Sequence, residues 1–188
     1  MKSVLILVLL SFSLCILGGW KKRSIEENDM EIDQSFKLAS STYTKSNKAD
    51  ENDLIRLTVY SQVANGINYK VTFIDSSAEV PTIQEYTAYK PAGAQNDIQF
   101  SITNHTEFDA SKGLIPPNDS EFTDLEKKLY KFLKNTKEKL NFMSYVYPIE
   151  NSETNFFVIS ADTEVGLHQY ILCQDRESKE YYSFARLK

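Results

Sequence analysis

Few residues in this chain could do covalent or acid–base chemistry. The two imidazoles, His105 and His168, stand apart from any thiol or paired acids that would complete a catalytic set. Cys15 and Cys173 are the only thiols, too few for a cysteine-based zinc centre. Cys173 ends the apolar run Tyr170-Ile171-Leu172-Cys173 and reads as a small buried hydrophobe rather than a nucleophile. Glu26-Glu27-Asn28-Asp29 and Glu51-Asn52-Asp53 lack calcium-loop spacing and read as solvated residues. No nucleophile elbow or phosphate loop is present, so no enzymatic activity, metal or cofactor is expected. What remains is contact chemistry. Gly18-Gly19, Gln62-Val63-Ala64-Asn65-Gly66 and Pro91-Ala92-Gly93 are small and uncharged, so they can lose water at little cost.

For these stretches to act together, the elements between them must fold them to one edge. Ile32, Phe36, Ala39 and Tyr43 recur at helical spacing and predict an amphipathic helix from about Ile25 to Thr44. Ile55, Leu57 and Val59 then alternate with polar residues, as do Ile67, Tyr69, Val71 and Phe73, which predicts two half-buried strands. Between them Asn65-Gly66 tolerates positive φ and suits a tight hairpin. A third strand is expected from about Pro81 to Tyr89, a turn over Lys90–Ala94, and a fourth strand around Ile98, Phe100 and Ile102.

The order then restarts. Pro116-Pro117 blocks helix, Thr123 with Glu126 predicts a capping box, and Phe122, Leu125, Leu129 and Phe132 give a second apolar helical face. Strands are expected near Phe142–Tyr147, Asn155–Ala161, Val165–Cys173 and Tyr181–Leu187. One offset sets Tyr60 opposite Tyr147, Tyr69 opposite Phe156 and Val71 opposite Val158. The expectation is an α+β protein made by tandem duplication. Each repeat would be a helix packed on a four-stranded antiparallel sheet, the first over residues 18–104 and the second over 113–188.

Residues 1–17 hold one Lys and then an apolar run from Val4 to Leu17, the layout of a secretory signal peptide. Lys21-Lys22-Arg23 ends the run before it reaches the length of a membrane span. Secretion, or the lumen of the secretory or lysosomal pathway, is the location implied, with no membrane attachment after cleavage. Loss of Cys15 with the leader would leave Cys173 and no internal disulfide. Asn104-His105-Thr106 and Asn118-Asp119-Ser120 make Asn104 and Asn118 the glycosylation acceptors of such a chain. A net charge of −5 over 188 residues argues against a nucleic-acid partner, and 11 Tyr with 11 Phe argue against disorder. Lys127, Lys128, Lys131, Lys134, Lys137 and Lys139 crowd the polar side of the second helix, as a solubilising face or a patch for an anionic surface.

A Gly-Gly pair before a helix, a Gln-to-Gly hairpin and a second Pro-containing hairpin together resemble the cystatins, inhibitors of papain-like cysteine proteases. Gly19, Gln62 and Gly66 match the family pattern, Ala64 replaces its central Val, and Val63 beside it offers apolar contact. Ile16-Leu17-Gly18-Gly19 is similar to the family's apolar lead-in. The second loop lacks the Trp of the secreted disulfide-bonded branch, so the chain is more similar to the stefins. The resemblance covers residues 16 to about 103. It implies a reversible, tight-binding inhibitor that occludes the cleft of cathepsin L- or B-type proteases. Contact would come from Gly18, Gly19, Gln62, Val63, Ala64, Asn65 and Gly66, supported by Pro91, Ala92 and Gly93. The alternative is a non-inhibitory extracellular binding module. In the second half, Ile149-Glu150-Asn151-Ser152-Glu153 and the run Gln174–Glu180 are too charged to bury cheaply in a cleft, so inhibition is not expected there.

Overall fold

The computed structural model describes residues 19–24, 29–77, 82–93, 100–109 and 113–187. The expected signal peptide, Gly18, and the expected strand positions Pro81 and Ile98 lie outside the described residues.

Asp29 sets the start of the first helix. Its carboxylate accepts from the backbone N–H of Glu31 at 2.9 Å and of Ile32 at 3.4 Å, satisfying donors that the first turn leaves open. Helix α1 runs Met30–Asn47, and Ile25, where the helix is expected to begin, lies outside the described residues. It ends where Lys48 turns left-handed at φ 56° and its N–H reaches back to the Thr44 carbonyl. Ile32, Ala39 and Tyr43 of the predicted stripe are buried, and Phe36 is partly so.

Ahead of that helix lies an element that side-chain pattern does not announce. Lys21–Arg23 forms strand β1, antiparallel to the next strand, with Lys21 opposite Ser61 and Arg23 opposite Val59. Three successive basic residues carry no alternation. The strand exists through main-chain bonding, and its charges guard an outer edge. Strands β2 (Leu54–Val63), β3 (Gly66–Asp75), β4 (Ile83–Pro91) and β5 (Ser101–Phe108) complete a sheet in the order β1-β2-β3-β4-β5. Helix α1 packs on it in two clusters, Ile32 with Val59, Tyr69 and Val71, and Ala39 and Tyr43 with Leu54, Phe73 and Tyr86. Phe73 meets Phe36 and Tyr43 edge-on and stacks on Tyr86 with centroids 5.7 Å apart.

In the second half Asp119, not Thr123, caps the helix, accepting from the Glu121 N–H at 2.8 Å. The turn after Pro116 decides this: the Asp119 N–H bonds to the Pro116 carbonyl at 3.0 Å, which brings the Asp119 carboxylate to the first open donors. Helix α2 spans Ser120–Thr136 and buries Phe122, Leu125, Leu129 and Leu133, with Phe132 at the margin. Strands β6 (Leu140–Glu150), β7 (Thr154–Thr163), β8 (Gly166–Asp175) and β9 (Tyr181–Arg186) form a sheet in that order. Cross-strand neighbours such as Val146, Ile159 and Tyr170, or Phe157 and Leu172, form one core with α2.

These elements correct the expected fold class. Strand makes up 51% and helix 25% of the described residues, and the first sheet has five strands against four in the second. Two matching repeats of a helix on a four-stranded sheet are not what the chain builds. The first half recruits β1, whereas before α2 Ile115 makes only an isolated bridge to Val146. A constant offset between the halves aligns their hairpins but cannot count an outer strand. The described residues fall into two compact units, one up to Ile74 and over Gln84–Glu107, the other over Asp75–Ile83 and from Phe108 onward.

Candidate functional site at the hairpin end of the first sheet

Strand β2 delivers the chain to Val63 and β3 receives it at Gly66, so Ala64 and Asn65 are the turn. The sequence suggested Asn65-Gly66, one residue later. Asn65 takes φ 47°, a left-handed conformation its short amide tolerates, and Gly66 opens β3 at φ 135°. The Ala64 N–H closes the tip on the Gly66 carbonyl at 3.0 Å. Val63, Ala64 and Asn65 all face solvent, and Val63 is 63% exposed. Gln62 stands one step behind them, half-buried in β2.

Two other segments arrive at this end. Continuing the β1–β2 register two residues outward brings exposed Gly19 abreast of Val63. Strand β4 ends at Pro91, after which exposed Ala92 and Gly93 turn away, Gly93 at φ 78°. The hydroxyl of Tyr89 donates to the Asn65 carbonyl at 2.6 Å, which fastens the end of β4 to the first tip. Gly66 is so close beneath it that an added Cβ would lie 2.5 Å from the Lys90 carbonyl oxygen. Gly19, Val63, Ala64, Asn65, Gly66, Pro91, Ala92 and Gly93 thus share one end of the sheet.

Charged and aromatic partners fix this end from both faces. Lys70 Nζ sits 4.5 Å from the Trp20 ring centroid and 3.9 Å from Glu85, tying the segment beside Gly19 to β3 and β4. On the helix side, Lys90 and Tyr69 both donate to Glu31 in the first turn of α1. Burial opposes ionisation of Glu31, but those hydrogen bonds and the charges of Lys90 and Arg23 outweigh it and hold the carboxyl below its ordinary range. Burial, reinforced by the Glu31 carboxylate, pushes the Tyr69 phenol well up. Lys90, the residue before Pro91, is therefore pinned to the helix.

The sign of this coupling gives a prediction. A carboxyl whose folded pKa is lowered stabilises fully above its ordinary value of 4.5, and that stabilisation fades as pH falls through the folded value. Glu31→Gln should cost about 1–2 kcal/mol at pH 7. Urea denaturation should show the gap between the two proteins narrowing at pH 3. A gap that holds or widens there would mean the charge of Glu31 is not what matters.

Sequence reasoning passed over Trp20, Tyr89 and the Glu31–Lys90 pair. An aromatic hydroxyl two residues before Pro91 is a weak signal, and only strand register reveals that Tyr89 reaches Asn65.

The corresponding turn of the second unit is built differently. Asn151 is buried, and its side-chain oxygen accepts from the N–H groups of Glu153 and Thr154 at 3.0 and 2.7 Å. Arg176 donates to the Asn151 carbonyl at 2.7 Å and lies 3.8 Å from Glu150. This tip is tied into its own unit rather than projected. His105 stacks on Tyr86 at 4.2 Å, His168 is bonded to Arg186, and Cys173 is fully buried in β8. Asn104, on β5, and Asn118, before α2, are exposed.

No family model matches the sequence of this chain, and a search of curated proteins found no match.

Proposed function

We propose that the first unit is a reversible inhibitor of papain-like cysteine proteases of the cathepsin L or B type. It would occlude the catalytic cleft with Gly18-Gly19, the Val63–Gly66 tip and Pro91–Gly93. One observation carries this reading: Gly19, the tip Val63–Asn65 and Pro91–Gly93, small, uncharged, exposed and far apart in sequence, share one end of a sheet. Such an edge loses little on dehydration, and tips held in place before binding lower the ordering cost. Glycines beside the catalytic thiol let the chain turn away through backbone angles that other residues resist, so no cleavable bond is presented. A contact of about 800 Å² per partner is the ordinary size for such a complex. The buried, self-bonded turn at Asn151 supports assigning the activity to the first unit.

Occlusion needs no bond to sulfur. Papain whose active-site thiol is capped with a methylthio group should therefore still form a one-to-one complex, read by gel filtration. Absence of a complex with both capped and uncapped papain at micromolar concentration overturns the proposal.

A further inference from the structure

Helix α2 buries Phe122, Leu125, Leu129 and Leu133 and leaves two flanks. Lys127, Tyr130 and Lys134 lie on one flank, Lys128, Lys131 and Asn135 on the other, each set at i, i+3 or i+4 spacing. The second flank faces a groove of about 370 Å³ whose opposite wall is Tyr181, Tyr182 and Phe184 of β9. Its walls are already set. Phe132 stacks on Phe184 with centroids 4.3 Å apart, and Lys128 Nζ lies 5.1 Å from the Tyr181 ring centroid. The Tyr181 hydroxyl donates to Asp124 at 3.3 Å, and burial together with that carboxylate pushes its pKa up to about 12. Among the described residues neither Lys128 nor Lys131 has an acidic partner. From Lys127 to Lys139 the only acid is Glu138.

Strand β9 is also the outer strand of its sheet among the described residues, so a row of its main-chain N–H and C=O groups points away from β8. A donor–acceptor row, an apolar floor and a lysine wall run side by side. We propose that the groove takes an extended acidic segment of a partner protein, added to β9 as a further strand. Among the side chains that face the groove, every second residue of that strand, carboxylates would meet Lys128 and Lys131 and apolar groups would cover Phe132 and Phe184. The groove is open rather than enclosed, which suits an extended chain better than a small molecule that needs enclosure. Charge complementarity selects acidic over basic segments. Whether the first unit inhibits a protease has no bearing on this groove.

The probe is a fluorescein-labelled peptide, Thr-Glu-Thr-Phe-Thr-Glu-Thr-Val, which presents Glu and apolar side chains on one face, titrated with the full chain at physiological salt, with a Lys-for-Glu peptide as control. The acidic peptide should bind and the basic one should not. The double variant K128E/K131E should weaken binding roughly tenfold or more, whereas K127E/K134E, the same charge change on the other flank, should alter it less than about twofold. Hydrogen exchange in β9 should slow when the acidic peptide is bound. Equal losses in both variants, unchanged exchange in β9, or no binding at millimolar peptide would each overturn the proposal. Binding only to vesicles of anionic lipid would overturn it in favour of a membrane surface.

Discussion

Val63→Asp should weaken inhibition of papain by roughly a hundredfold or more and leave the fold intact. In the unbound protein Val63 is 63% exposed, so a carboxylate there remains hydrated and stability should change by less than about 0.5 kcal/mol. In the complex the same carboxylate would be withdrawn from water, at a cost of several kcal/mol. A hundredfold change corresponds to about 2.8 kcal/mol, which lies within that cost. Inhibition constants and thermal midpoints of the two proteins, measured together, separate binding from folding. Glu150→Ala, on the self-bonded turn of the second unit, is the matched control and should leave inhibition within about twofold. Full inhibition by Val63→Asp would remove the first tip from the interface. An equal loss at Glu150 would point to the other hairpin.

The second large effect lies in stability. Gly66→Ala places a methyl 2.5 Å from the Lys90 carbonyl oxygen and 2.7 Å from the Tyr89 ring, at a φ of 135° that L residues resist. The near neighbour is backbone and cannot simply swing aside. Overpacking and left-handed strain together should cost about 2–4 kcal/mol. Inhibition should fall with it, because Tyr89 cannot keep its bond to the Asn65 carbonyl while making room. Gly93→Ala makes the useful contrast. Gly93 also has a positive φ of 78°, but among the described residues nothing lies within 4 Å of where its Cβ would stand. Its cost should be nearer 1 kcal/mol, the left-handed strain alone. Equal stability losses at the two glycines, read from urea midpoints, would mean that the close packing under Tyr89 does not hold the tip.

How much of this was legible in the sequence follows from which interactions are local. The β2–β3 hairpin was readable because Ile67, Tyr69, Val71 and Phe73 alternate cleanly behind a turn dipeptide. Both helices were readable from their apolar stripes, but their starts were not. The first begins at Met30 behind an Asp29 cap, and in the second the turn from Pro116 selects Asp119 over Thr123. Strand β1 was invisible, since Lys21-Lys22-Arg23 has neither alternation nor apolar character, and its absence from the count produced the mistaken pair of equal repeats. Likewise turn chemistry identified the tips themselves. The contacts that fasten them join residues 24 apart, as Tyr89 and Asn65, or 59 apart, as Lys90 and Glu31. Only the folded register brings such partners together.

An end of the first sheet that closes a protease cleft by occupying it must act on the active enzyme. Titration of active papain with the full chain, using a small fluorogenic peptide substrate, tests this most directly. Activity should fall stoichiometrically and reversibly, in competition with substrate, and mass spectrometry should recover the chain uncut. Papain that stays fully active at micromolar chain, or that is slowed only while it cleaves the chain, would contradict the account.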